Sequence, residues 1–190
     1  MNKNLIFLLV AILTIISGCK PSHEKSLHRI TDMETRLSKS QTMTFDKVKA
    51  DSLLGLYNNF IQRFPKDSLS PKYLFHSAQL AMTMGDGPKS LELFDRYIAT
   101  YPESPKASVC MFFKAYVYEN ILHTLDKAKE TYLAFAEKYP NSEFARDAKI
   151  AVQNLGKSPE EMVHEFEARQ KADSARKADS VKLASRKHKK

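Results

Sequence analysis

Tyr57–Pro65 reads YNNFIQRFP, Phe94–Pro102 reads FDRYIATYP and Tyr132–Pro140 reads YLAFAEKYP. The closing prolines stand 37 and 38 residues apart. Within each copy an aromatic, an aromatic, an apolar and an aromatic residue fall at i, i+3, i+4 and i+7. The sets are Tyr57, Phe60, Ile61, Phe64, then Phe94, Tyr97, Ile98, Tyr101, then Tyr132, Phe135, Ala136, Tyr139. That spacing lays four side chains along one stripe of an α-helix. The proline then ends the helix, because it has no N–H and restricts the residue before it. Three copies at a steady period predict an all-α fold of stacked helical hairpins. One hairpin cannot bury its stripe alone, so neighbours must do it for each other. The stripe residues are therefore core, not site.

The pattern predicts paired helices on either side of each copy. The helices ending in proline are expected over Phe45–Phe64, Lys89–Tyr101 and Asp126–Tyr139, with Thr44 or Asp46 capping the first. Their partners are expected over Lys72–Met84, Lys106–Asn120 and, capped by Asn141-Ser142, up to Leu155 before Gly156. Gly85-Asp86-Gly87-Pro88 reads as a tight turn. Leu27, Ile30, Met33, Glu34 and Leu37 give a further, mostly apolar helical stripe. Ser158-Pro159-Glu160-Glu161 starts a fresh helix, with serine as cap. The resulting division is a signal segment at 1–18, a tether at 19–26, a helical repeat domain at 27–156, and a C-terminal helix with a basic low-complexity tail at 157–190.

The 190 residues carry a formal charge of +8, with 5 glycines and no tryptophan. The charge is local: residues 168–190 hold nine Lys/Arg against two Asp, which leaves the body near neutral. A nucleic-acid role for the whole fold is not expected, and the tail has no aromatic residue interleaved with its cations. The tail repeats KADSAR as KADSVK (Lys171–Arg176 and Lys177–Lys182), and six residues do not hold one helix face. It reads as a solvated helical extension or as a cationic arm for anionic lipid or an acidic partner. Of the two cysteines, Cys110 lies in the apolar run Val109–Phe113 and reads as a buried, inert thiol.

The first residues carry a different signal. Leu5–Ile16 is a twelve-residue apolar run, too short for a bilayer core, which takes roughly 20 residues. It ends in Ile16-Ser17-Gly18-Cys19. This resembles the bacterial lipobox, and the resemblance implies that Cys19 is lipidated and becomes the first residue of the mature protein. Several acyl chains give stable anchoring where one does not. Lys20 is not the aspartate that retains enterobacterial lipoproteins in the inner membrane. The expected location is thus the outer membrane, anchored by lipid and facing the periplasm.

The body resembles the tetratricopeptide repeat. The residues that carry the resemblance are Ala78, Gly85-Asp86, Ser90, Phe94 and Pro102, then Ala115, Ala128, Tyr132 and Pro140. They cover roughly residues 44–156. The period is longer than the usual 34, His123 stands where glycine would be, and Leu74 or Phe112 replaces the large aromatic early in the first helix. The Tyr-Pro-x-Ser loops, Tyr101–Ser104 and Tyr139–Ser142, are similar to those of envelope repeat lipoproteins. Those include the outer-membrane-assembly lipoproteins (BamD-like) and the periplasmic Tol-Pal coordinators. The resemblance implies a scaffold that binds other envelope proteins, a barrel-assembly pore among them, in a groove lined by the first helix of each hairpin. Groove candidates are Lys72, Gln79, Met82, Tyr116, Glu119 and Asn120. No enzyme, cofactor or metal site is predicted. His23 and His28 are five apart and do not share a helix face as i, i+4 ligands would. Ser22-x-x-Lys25 lacks the supporting motifs of an acyl-enzyme.

Overall fold

The computed structural model describes residues 22–39 and 46–187. The signal segment, Cys19 and Thr44 lie outside the described residues. Those described form eight helices and no strand: α1 (His23–Lys39), α2 (Lys47–Arg63), α3 (Ser70–Thr83), α4 (Gly87–Thr100), α5 (Pro105–Asn120), α6 (Leu125–Lys138), α7 (Ala145–Asn154) and α8 (Pro159–Lys187). The architecture is all-α and of the tetratricopeptide type, built of adjacent antiparallel hairpins. The chain divides within α5 into two compact units, Met1–Cys110 and Met111–Lys190.

The three proline loops share one backbone solution. Phe64, Tyr101 and Tyr139 end α2, α4 and α6 with φ/ψ of −128/57, −130/58 and −127/59°. A residue before proline is pushed out of the α region, yet each still donates its N–H to the carbonyl four residues back, at 2.8 to 2.9 Å. Three residues on stand Asp67, Ser104 and Ser142, whose N–H groups return to those end residues. Their side-chain oxygens accept the amides of Leu69, Lys106 and Phe144 at 2.8, 3.3 and 3.3 Å. These are Asx and Ser/Thr turns. Ser142 therefore shapes the loop and does not cap a helix: α7 begins at Ala145, and its N-terminal flank, Phe144, makes no side-chain cap bond.

The other hairpin ends follow the sequence closely. Asp46 and Asp86 accept the amides of Lys49 and Lys89, each at 3.0 Å, and so cap α2 and α4. Gly85 takes φ +75°, and His123, one period later, takes φ 51°. A histidine thus occupies the left-handed position that glycine fills without a Cβ penalty. At the start of α8, Ser158 and Glu161 form a capping box, with bonds of 3.2 and 2.7 Å. α8 continues through the KADSAR repeat to Lys187.

Part of the stretch expected as tether is helical. α1 starts at His23, not beyond residue 26, and Ser26 is already buried. Ser22 accepts the amide of Lys25 at 3.3 Å and begins the helix. The polar residues 23–25, which read as linker, are its exposed first turn. The Ser-x-x-Lys spacing is therefore a helix cap.

In the first unit, Tyr57 stacks on Tyr73 at 5.1 Å and Phe60 meets Tyr73 edge-on at 4.9 Å. Ser90 donates to the Ala78 carbonyl at 3.1 Å, a contact that only small residues permit between α3 and α4. In the second unit, Phe112 lies edge-on to Tyr132 and Phe135 at 5.5 and 5.6 Å. Its counterpart one period earlier is Phe75, edge-on to Tyr97 at 5.9 Å. The large ring of the earlier helix is thus Phe75 and not Leu74. The position over that ring also changes chemistry: Lys106 Nζ sits 4.5 Å above Phe75, whereas Phe144 stacks 4.9 Å from Phe112.

Two substitutions test this account. Phe94 is fully buried, and Phe94→Ala should lower stability by about 3–5 kcal/mol in equilibrium urea unfolding. His123→Gly should raise the thermal midpoint, because relief of the left-handed strain is worth about 1 kcal/mol.

Candidate functional site

The first unit contains a cleft of about 380 Å³ between α1, α2 and α3. Leu37, Leu53 and Leu80 supply apolar walls, and Glu34, Ser38, Tyr57, His76, Gln79 and Thr83 supply polar groups. An apolar surface with a few placed polar groups suits a side chain of a partner.

Glu34 and Tyr57 form a fixed pair there. The Tyr57 hydroxyl donates to Glu34 Oε1 at 2.7 Å. Burial pushes the Tyr57 phenol well above its usual range, and the bond to Glu34 and its negative charge push it further. The arrangement recurs in the second unit, where the Tyr132 hydroxyl donates to Glu119 Oε2 at 2.9 Å. Burial, then Glu119, raise the Tyr132 phenol in the same way. Tyr57 and Tyr132 both open the nine-residue phrase. The middle copy opens with Phe94, and Met82 stands one period before Glu119. Hydroxyl and carboxylate are therefore present together or absent together. A hydrogen bond to a charged group contributes roughly 1.5–3 kcal/mol, while an unpaired one beside a core is penalised.

His76 faces the same cleft, with its ring 6.1 Å from that of Tyr57. Burial holds its pKa below the ordinary imidazole value. Lys72 and Lys106 add to the shift, and Glu34 opposes it. The imidazole is thus neutral at pH 7, a hydrogen-bonding group and not a cation.

The six groove candidates fall on two helices. Lys72, Gln79 and Met82 lie on α3 in the first unit, and Tyr116, Glu119 and Asn120 lie on α5 in the second. Gln79 lines the cleft, Met82 is half-buried a turn beyond it, and Lys72 is exposed. Tyr116 is 41% exposed, and its carbonyl accepts Asn120 Nδ2 at 3.2 Å. Glu119 is committed to Tyr132. Of the cleft residues only Gln79 was a candidate from sequence; Leu37, Ser38, Leu53, Tyr57, His76, Leu80 and Thr83 were missed, as was Glu34 in its role as acceptor. The available signal was an acid, Glu34, inside an apolar stripe, and a tyrosine where another copy has phenylalanine.

Among the described residues, no group of three His, Cys, Asp or Glu is placed to hold a metal ion. His23 is used otherwise: its Nε2 lies 2.7 Å from Asp67 Oδ2, and its ring packs on Phe60 and Phe64. Cys110 is fully buried, and burial pushes its thiol up to about 12.

A family profile for the tetratricopeptide repeat matches residues 114–142. That stretch holds the last two turns of α5, all of α6 and the start of the third proline loop. No curated protein matches the chain. The repeated loop backbone at Phe64, Tyr101 and Tyr139 carries the same geometry into the first unit. The chain is thus all-α, with one tetratricopeptide repeat recognised at 114–142 and helical hairpins of the same kind before it.

The buried phenols give a pH test. In the unfolded chain both ionise near pH 10. In the folded chain they keep their protons above that value, so the folded state binds more protons there. The stability that these two phenols contribute is therefore full below about pH 10 and is lost as pH rises further. Thermal midpoints measured from neutral to alkaline pH should drop for the parent protein and drop less for Tyr57→Phe.

Proposed function

We propose that this protein is a lipid-anchored scaffold of the bacterial cell envelope, held through Cys19, that binds a partner protein along its hairpins. The observation that carries the reading is the combination of a tetratricopeptide fold with a sequence ending its apolar leader in Ile16-Ser17-Gly18-Cys19. The fold supports binding of a partner protein. The lipobox supports an anchor of acyl chains. Lys20 after the cysteine supports the outer membrane, with the body facing the periplasm.

The finer reading is a part in assembling outer-membrane barrels. It rests on the Tyr-Pro-x-Ser loops, whose hydroxyls organise the chain between hairpins. In the cleft, a partner segment would set an apolar side chain among Leu37, Leu53 and Leu80. Polar atoms of that segment would meet Gln79 and His76.

Two measurements test this. Cells fed an alkyne analogue of palmitate should label the parent protein, and Cys19→Ala should lose the label. In-cell crosslinking, affinity purification and mass spectrometry should recover a barrel-insertion pore. Recovery of cell-wall, secretion or Tol-Pal components without that pore would sink the assembly role and leave a general envelope scaffold.

A further inference from the structure

We infer that one pole of the first unit is a membrane-facing surface. The pole consists of the α1 N-terminus and the Phe64–Ser70 loop, and the candidate cleft lies on the half of the unit away from the lipid. The inference rests on the anchoring of Cys19 proposed above.

Chain length sets the first limit. Cys19 and His23 are four residues apart, and four residues span at most about 14 Å when fully extended. Whatever path those residues take, His23 lies within that distance of the anchored Cα. His23 is not a loose end. Its Nε2 is 2.7 Å from Asp67 Oδ2, and its ring centroid is 5.4 Å from that of Phe60 and 5.0 Å from that of Phe64. Asp67 is held in turn by the Leu69 amide at 2.8 Å. The clamp ties the first helical turn to the first proline loop, so a short tether reaches the pole itself.

The pole suits a lipid surface. Lys25 and Lys66 are exposed on the two elements that the clamp joins. Ammonium groups at these positions fit phosphates of anionic headgroups. Glu24, on the first turn of α1, is an exposed carboxylate of this end. Asp67 is occupied by His23 and Leu69.

The cleft lies further along the same helix. Glu34 and Ser38 are 11 and 15 residues beyond His23, which at 1.5 Å per residue is about 17 and 22 Å. On α3, Gln79 and Thr83 lie toward the same far end. An anchored unit standing on its pole thus presents the cleft to the aqueous side.

The test uses the full acylated protein in vesicles of phosphatidylethanolamine and phosphatidylglycerol doped with a headgroup-nitroxide lipid. A fluorophore is placed by Lys66→Cys or, separately, by Thr83→Cys; both sites are exposed. Cys110 is fully buried and does not compete for label. The expected result is loss of fluorescence at 66 and little loss at 83. Equal loss at both, or greater loss at 83, in a protein that floats with the vesicles overturns the orientation while leaving the anchor intact. A chain that carries no acyl mass and does not float removes the anchor and the orientation together. His23→Ala should still float, with the difference between 66 and 83 reduced; an unchanged difference overturns the role of the clamp.

Discussion

A pyrrolidine ring stands immediately after each aromatic residue that ends α2, α4 and α6, and the rest of the fold depends on it. The ring denies the preceding residue the α conformation. Phe64, Tyr101 and Tyr139 consequently adopt the same non-helical conformation to within a few degrees. Five residues beyond each of them, the amide of Leu69, Lys106 or Phe144 is caught by an aspartate or serine oxygen. The exit direction of the chain is thereby set three times over by local chemistry. Within the units, α3 packs back on α2 and α7 packs back on α6.

Once delivered, the stripes are specified by pairs. Phe75 and Phe112 occupy matching positions and meet matching rings, Tyr97 and Phe135, at similar angles. What covers each ring is different, an ammonium from Lys106 in one case and the ring of Phe144 in the other. The polar pairs behave in the same manner. Tyr57 with Glu34 and Tyr132 with Glu119 satisfy each other, and the copy that lacks the hydroxyl lacks the acid as well. A core can accept either solution, because each leaves no group of the pair unsatisfied. The mixed combination is the one it would penalise.

The same economy shapes the surface available for function. Many aromatic side chains are spent on ring contacts in the core, and the first unit keeps an apolar cleft between α1, α2 and α3. The histidines show the difference. His23 closes a contact between α1 and the first loop, His123 fills a left-handed turn, and His76 stands neutral beside the cleft. None of the three joins a cluster of metal ligands among the described residues. Binding by such a surface draws on shape and on a few polar groups, as in a partner-recognition scaffold.

Periodicity and turn chemistry were legible in the sequence, because both act between residues close along the chain. The stripes, the proline stops, the Asp46 cap, the capping box at Ser158 and the left-handed demand at His123 all follow from neighbours within one or two turns. Boundaries decided by distant partners were not legible. Ser22 caps α1 locally, but its first turn is held in place by His23, whose ring finds Phe60, Phe64 and Asp67 some forty residues on. The cleft was out of reach for the same reason: its walls come from three helices, and only packing brings Glu34, Tyr57 and His76 together. Local pattern specifies an all-α repeat, and Ile16–Cys19 resembles a lipobox. The tertiary structure alone decided which polar residues pair, which helix turn is tied down and where a cleft opens, because those outcomes depend on side chains that meet only after the hairpins stack.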